Sequence, residues 1–307
     1  MYLGYYTACL RGVSLEEKIQ KAKEMGFESL ELACWPQEND RDFSSSDIPV
    51  HGLTQAEADR IRKMFDDNGL KISSLGYYDN SLSNDPAVRE KVHRHTYELI
   101  DAAQMLGVDI VGLFAGRNID KTIEENFDEF ETVFNGFVNY AGERGIKIVI
   151  ENCPMLNWLQ QDLPGTITYS PELWDEMFRR VPQKNFGLNF DPSHLLHLMI
   201  DYVPLIEQYK DRIFHVHAKD AEIFPDRLHR YGIYDCQLGN RNEEGWWRFR
   251  MPGMGQVDFP ALIEELKKID YQGAVSIEHE DPVYEGSNEK IYEGLQLGYD
   301  YLKGLVK

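Results

Sequence analysis

Carboxylates and imidazoles recur in the second half of this sequence at the ends of short apolar runs. Lys147-Ile148-Val149-Ile150-Glu151 delivers a glutamate after a run of β-branched residues, and Phe186-Gly187-Leu188-Asn189-Phe190-Asp191 delivers an aspartate, with His194 three residues on. Phe214-His215-Val216-His217-Ala218-Lys219 places His215, His217 and Lys219 on one face of a strand, and Val275-Ser276-Ile277-Glu278-His279-Glu280 does the same for Glu278 and Glu280. One buried unpaired carboxylate is costly. Three beside a histidine become tolerable when a cation neutralises them. The candidate set is Glu151, Asp191, His217 and Glu278. Oxygen-rich ligation with one imidazole suits Mn²⁺ first, then Mg²⁺ or Co²⁺, with Zn²⁺ also accommodated. Any single member reads equally well as a satisfied core group; the set carries the expectation.

The elements that must position these groups alternate along the chain. Strand-like runs at Leu3–Thr7, Glu28–Ala33, Leu70–Leu75, Ile110–Phe114, Lys147–Glu151, Phe186–Asp191, Ile213–His217 and Gly273–Glu278 are each followed by an amphipathic stretch. Ser14 with Glu17 marks one helix start, and Gly26, Gly69 and Gly107 mark helix ends. Alternation of this kind specifies a parallel sheet. Eight repeats without a Gly-x-Gly-x-x-Gly after the first strand favour a closed barrel over a dinucleotide-binding sheet. The expectation is an α/β chain forming one (β/α)8 TIM barrel over residues 1–307, with a long connection at 36–52 and a long insertion after strand seven at 221–257. Chemistry in such barrels sits at the C-terminal ends of the strands, where the acids and histidines fall.

At 307 residues the chain has the length of one such barrel, and its 32 Lys+Arg against 52 Asp+Glu give a formal charge of -20. That field opposes nucleic acid and anionic membrane. The four cysteines, Cys9, Cys34, Cys153 and Cys236, are scattered without a Cys-x-x-Cys, as in a reduced protein that builds no zinc finger. Neither a signal-peptide pattern nor an apolar stretch of membrane-spanning length is evident, so a cytoplasmic location is expected.

The segments Ile150-Glu151-Asn152, Asp191-Pro192-Ser193-His194, His215-Val216-His217-Ala218-Lys219-Asp220 and Ile277-Glu278-His279-Glu280 resemble the xylose-isomerase-like superfamily. Within it they resemble the sugar phosphate isomerase/epimerase group, which includes ketose 3-epimerases and inosose dehydratase. Met251-Pro252-Gly253-Met254-Gly255-Gln256-Val257-Asp258 is similar to the stretch that precedes the seventh helix there. The resemblance implies one divalent metal held by Glu151, Asp191, His217 and Glu278. It also implies that Glu151 and Glu278 act as the acid/base pair on either side of a substrate carbon, and that His194 touches substrate. Two positions depart from the epimerase pattern. No acid follows Glu151 in Cys153–Trp158, and Ile223 stands where the epimerases carry arginine. Epimerisation, isomerisation and the elimination of an inosose dehydratase share a first step, removal of a proton next to a carbonyl, and all three stay open.

Trp246 and Arg248 in the insertion, and Trp35 and Trp158 after strands two and five, are candidate walls of a sugar pocket, through ring stacking and guanidinium hydrogen bonds. Lys219 is a candidate either for a substrate oxygen or, in the favoured reading, for an ion pair with a neighbouring carboxylate. The expected partners are a small sugar and further copies of the chain, as dimer or tetramer. An abasic-site endonuclease shares the superfamily but needs three zinc ions and added histidines on strands three and four. Here those strands end Leu75-Gly76-Tyr77-Tyr78 and Leu113-Phe114-Ala115-Gly116. A metal-free sugar-binding barrel is the remaining alternative.

Overall fold

Eight short runs, buried along nearly their whole length, pair in parallel and close on themselves. They are β1 (Tyr2–Tyr6), β2 (Ser29–Ala33), β3 (Lys71–Asn80), β4 (Ile110–Phe114), β5 (Lys147–Glu151), β6 (Phe186–Phe190), β7 (Ile213–Ala218) and β10 (Ala274–Ile277). The order around the barrel is β1-β10-β7-β6-β5-β4-β3-β2. The computed structural model describes residues 1–37, 45–156, 163–234 and 245–306. Trp158, Cys236 and residues 242–244 lie outside them.

Around the barrel run α1 (Leu15–Met25), α2 (Gln55–Asn68), α3 (Pro86–Leu106), α4 (Ile123–Gly142), α5 (Pro171–Arg180), α6 (Pro192–His197), α7 (Val203–Gln208), α9 (Phe259–Lys268) and α10 (Asn288–Val306). Their starts are written locally. Ser14 accepts from Glu17 N–H, and Thr54 and Thr122 form capping boxes with Glu57 and Glu125. Helix α4 shows how the outer layer is held. Phe127, Phe130, Phe134 and Phe137 repeat at helical spacing, are all buried, and bring Phe130 and Phe134 against Phe186 of β6. Each such ring contributes roughly 1.5–3 kcal/mol of apolar burial. Among the described residues no helix is long and apolar enough to cross a membrane.

The structure adds elements that periodicity did not give. Strand β3 runs on to Asn80, past a register shift against β4 between Tyr77 and Asn80. The connection after β7 is not a plain loop. It contains β8 (Asp220–Ile223), α8 (Pro225–Tyr231) and β9 (Trp247–Arg250), and β8 pairs antiparallel with β9. Asp220 pins this connection by accepting from the backbone N–H of Ala221, Gly253, Gly255 and Val257. Asp281, after β10, accepts from Met251 N–H and Arg250 Nε. The hairpin is thereby tied to the barrel rim at both of its ends.

Register decides which groups share that rim. Glu151 pairs with Asn189, two residues before Asp191. Asn189 pairs with His215, two before His217, and His217 pairs with Ser276, two before Glu278. Four neighbouring strands therefore present their ionisable groups in one stepped ring.

Candidate metal centre

One atom from each of Glu151, Asp191, His217 and Glu278 lies within 4.8 Å of every other. His217 Nδ1 is 3.1 Å from Glu278 Oε2 and 3.5 Å from Glu151 Oε1. Asp191 divides its oxygens between two tasks. Oδ1 accepts from Ser193 N–H and Oγ–H, capping α6, while the buried Oδ2 accepts no well-formed hydrogen bond. Asn152 clamps the Asp191 backbone from both sides, accepting from its N–H and donating to its C=O. Helix α6 then carries His194 back over the cluster, its Nε2 3.2 Å from Glu151 Oε1 and 3.6 Å from Asp191 Oδ2.

Lys219, two residues after His217, also reaches the ring, its ammonium sharing Glu278 Oε2 with His217 Nδ1. Its ammonium lies 2.6 Å from Glu278, 2.9 Å from Glu280, 3.3 Å from Asp191 and 4.0 Å from Glu151. Even so, positive charge is short. Burial pushes the Asp191 carboxyl up to about 7 against the pull of Lys219, with Glu278 and Glu151 adding to the rise. Burial likewise takes Glu280 to about 7, opposed by Lys219 and reinforced by Glu278. Burial lowers the proton affinity of His217, but Glu31 and Glu278 overcome this and hold it well above the ordinary imidazole value. A buried cluster in which Asp191 and Glu280 retain protons for want of cation, with Asp191 Oδ2 turned inward and held only by the longer contacts to Lys219 and His194, fits a divalent ion. The donor set of three carboxylates and one imidazole suits Mn²⁺, Mg²⁺, Co²⁺ or Zn²⁺.

Two measurable consequences follow from this charge balance. Asp191→Asn keeps the Oδ1 cap, because asparagine is as good an N-cap as aspartate, but removes a ligand charge. The expected result is a folded protein with metal affinity reduced more than the ~10–100-fold that disturbing an outer partner costs; unchanged metal content by elemental mass spectrometry removes Asp191 from the ligand set. Ligands must also be deprotonated to bind. With Asp191 at about 7 and His217 higher, metal uptake at pH 7 expels protons, and apparent affinity rises from pH 6 to pH 8. Calorimetric titrations in two buffers of different ionisation enthalpy read this directly, and identical heats contradict it.

The other candidate residues are distributed by the alternation of β9. Phe249 faces the cluster, and Trp247 lies on the same side of the strand, against His197. Trp247 stacks flat on His197 at 3.9 Å, and Phe249 meets His194 edge-on at 5.3 Å with the Lys219 ammonium 4.4 Å from its ring centre. Trp246 and Arg248 turn to the other side. Trp246 Nε1 donates to Ile233 C=O, while Arg248 pairs with Glu222 at 2.7 Å and lies over Phe224. Trp35 is buried edge-on against Tyr77, which in turn packs on His95. The structure thus brings His194 and Lys219 to the four donors and builds Trp246, Arg248 and Trp35 into surrounding packing. Trp247 belongs with Trp246 to the tryptophan pair that the sequence marks for sugar recognition, whereas Phe249 and Glu31 went unnoticed. For Phe249 the signal is the two-residue alternation of Trp246–Arg250, which sets it on the side of Trp247. For Glu31 it is an acid inside the otherwise apolar run Leu30-Glu31-Leu32-Ala33.

A second ionisable group, Glu31, His215 and His217, lies deeper in the barrel and shares His217 with the first; these are the two metal-capable clusters among the described residues. Strands β3 and β4 end without a histidine, as the sequence reads.

The family profile described as xylose isomerase-like TIM barrel matches residues 19–301. An inosose dehydratase from Clostridium botulinum (strain Alaska E43 / Type E3) is 24% identical, the match covering 77% of this chain and 78% of that protein. D-psicose 3-epimerase from Clostridium cellulolyticum H10, solved with D-tagatose, superposes with a TM-score of 0.71 over 100% of both chains at 16% identity. A protein called IOLI, solved with a bound zinc atom, superposes with a TM-score of 0.71 at 18% identity, covering 100% of this chain and 98% of that one. At these identities the solved structures establish a shared fold.

Proposed function

The chain belongs to the xylose isomerase-like TIM barrel family, and from that premise we propose that it is a divalent-metal-dependent enzyme that isomerises or epimerises a keto-sugar or polyol-derived ketone by removing the proton next to the carbonyl. The observation that carries this reading is the ring of Glu151, Asp191, His217 and Glu278, two of whose members are glutamates set on non-adjacent strands with ligand oxygens within 4.8 Å. A divalent ion held by these four residues supplies Lewis-acid polarisation of a substrate oxygen, worth several kcal/mol. The chain's own groups do the rest. One glutamate takes the proton from carbon and the other returns it from the opposite face. His194, 3.2 Å from Glu151 Oε1, keeps that carboxylate aimed. Phe249, beside His194 and Lys219, offers the cluster an apolar ring against which the C–H side of a sugar packs.

A dehydratase is the second reading, and Lys219 is the feature that favours it. Two carboxylates suffice to move one proton off and back onto carbon. In a dehydration one glutamate takes the proton from carbon and the other gives one to the leaving hydroxyl, which departs as water; negative charge develops on that oxygen, and Lys219 is a buried ammonium already placed between Glu278 and Glu280 to stabilise it. The inosose dehydratase relative points the same way.

The test starts with metal per chain by elemental mass spectrometry, then follows keto-sugars and inososes in deuterated water by proton NMR. About one ion per chain and deuterium entering next to the carbonyl support the proposal. Retention of every hydroxyl identifies an isomerase or epimerase, and loss of water with an absorbing conjugated ketone identifies the dehydratase. Absence of bound metal after incubation with Mn²⁺, Co²⁺, Mg²⁺ and Zn²⁺ overturns both.

A further inference from the structure

Glu31 is fully buried in β2, and its carboxylate reaches across the barrel interior to β7. Oε2 lies 2.9 Å from His217 Nε2, and Oε1 accepts a hydrogen bond from the Tyr78 hydroxyl at 2.7 Å. His217 meets the four-donor ring through its other nitrogen, Nδ1. We propose that Glu31 is a positioning residue that keeps a hydrogen on His217 Nε2, and so presents the Nδ1 lone pair to the metal. The proposal rests on the metal reading above.

The surrounding contacts accord with this arrangement. Carboxylate oxygens accept, so the hydrogen between Glu31 and His217 sits on Nε2. Asn189 Nδ2 is 2.9 Å from both His217 Nε2 and the Tyr78 oxygen; since Nε2 carries a hydrogen, the Tyr78 oxygen is its acceptor. Asn189 Oδ1 then accepts from His215 Nδ1 at 3.0 Å, and His215 Nε2 is left to accept from Ser73 Oγ–H at 3.3 Å. Every group in the chain from Ser73 to His217 has one role. The space for it is built in. A Cβ at Gly112 collides with the Tyr78 hydroxyl, and a Cβ at Gly76 comes within 2.8 Å of the Tyr78 ring. Tyr6 stacks along the His217 ring at 5.9 Å between centroids, limiting its rotation. Outer carboxylates of this kind fix the tautomer and orientation of metal-bound histidines and raise their basicity.

The test compares wild type, Glu31→Ala and Glu31→Gln, using Mn²⁺ or Zn²⁺ alone as probe in competition with a chelator. Affinity is read per folded chain, with circular dichroism as the check on folding. Glu31→Ala is expected to bind ~10–100-fold more weakly. Glu31→Gln, which keeps an oxygen able to accept from Nε2, is expected to fall between the two. A purely structural role lowers the melting temperature of both variants but leaves affinity unchanged, and that result overturns the proposal. Should Glu31→Ala not fold, Glu31→Gln and nitrogen-15 NMR of histidine in the Zn²⁺-loaded wild type decide the matter. A protonated Nε2 with metal on Nδ1 is expected, and metal on Nε2 overturns the proposal. The wild-type titration stands apart: no binding there fails the metal reading itself, whereas tight binding that ignores Glu31 fails only this inference.

Discussion

Glu151→Gln and Glu278→Gln are each expected to lower turnover by about 10³-fold, within the 10²–10⁴ that a positioned acid or base contributes, with the double variant little worse than either single one. Glutamine is nearly isosteric with glutamate. It keeps an oxygen toward the ring and disturbs packing least, but it cannot carry a proton at neutral pH. Residues that act in one sequence of steps are strongly non-additive, because losing either blocks the same turnover. The two variants differ in what they leave behind. Starting from one epimer, the variant lacking the base exchanges no carbon-bound hydrogen with solvent. The variant lacking the returning acid still exchanges hydrogen without forming product, and starting from the other epimer reverses the assignment. Metal content measured on the same samples separates lost proton transfer from lost ligation. Full metal with both exchange rates within threefold of wild type takes the acid–base role away from the pair.

How much of this was legible in the sequence depends on whether a residue's meaning is local. Ser14, Thr54 and Thr122 announce helix starts through contacts three residues away, and the barrel order follows from simple alternation. Glu151, Asp191, His217 and Glu278 were legible because each closes an apolar run, and a parallel barrel puts the ends of such runs on one rim. Lys219 was placed correctly on the face of His217 by strand parity alone. Glu31 was not legible as a partner of His217, because it sits within its strand and its contact spans 186 residues of sequence. Which of Trp246 with Arg248 and Trp247 with Phe249 turn toward the barrel was decided only by the pairing of β9 with β8, which sets Ile223 opposite Trp247 and Ala221 opposite Phe249. Alternation within Trp246–Arg250 puts Trp247 and Phe249 on one side, but two four-residue strands with 23 residues between Ile223 and Trp247 are too short and too separated to show which side faces the barrel. What sequence could not supply was long-range register, and the aromatic cover and the support for His217 both depend on it.

Lys219→Met is expected to give the largest stability change in the metal-free protein. Methionine reproduces much of the length of lysine and still packs on Phe249, but the ammonium that stands 2.6 Å from Glu278, 2.9 Å from Glu280 and 3.3 Å from Asp191 is gone. Removing one partner of a buried ion pair costs about 3–5 kcal/mol, because charge is left buried and uncompensated. For a chain of this size that corresponds to a fall in melting temperature on the order of 10 °C. The acids can escape by keeping protons, and this sets the pH dependence. Asp191 and Glu280 already hold protons up to about 7 with Lys219 present, against an ordinary carboxylate value near ~4 in the unfolded chain. A carboxyl raised on folding makes the folded state bind more protons, so stability falls as pH climbs from the unfolded value through the folded one. Without Lys219 the folded values rise further. The deficit relative to wild type is therefore smaller at pH 5.5 than at pH 8. A bound dication replaces the missing charge and stabilises by mass action, so added Mn²⁺ raises the melting temperature of Lys219→Met by more than that of wild type. Melts followed by circular dichroism, with chelator and with Mn²⁺, at pH 5.5 and pH 8, test all three parts. Equal melting temperatures of variant and wild type in chelator at pH 8 mean that Lys219 does not neutralise the ring, and the case for a charge-deficient metal centre loses its electrostatic basis.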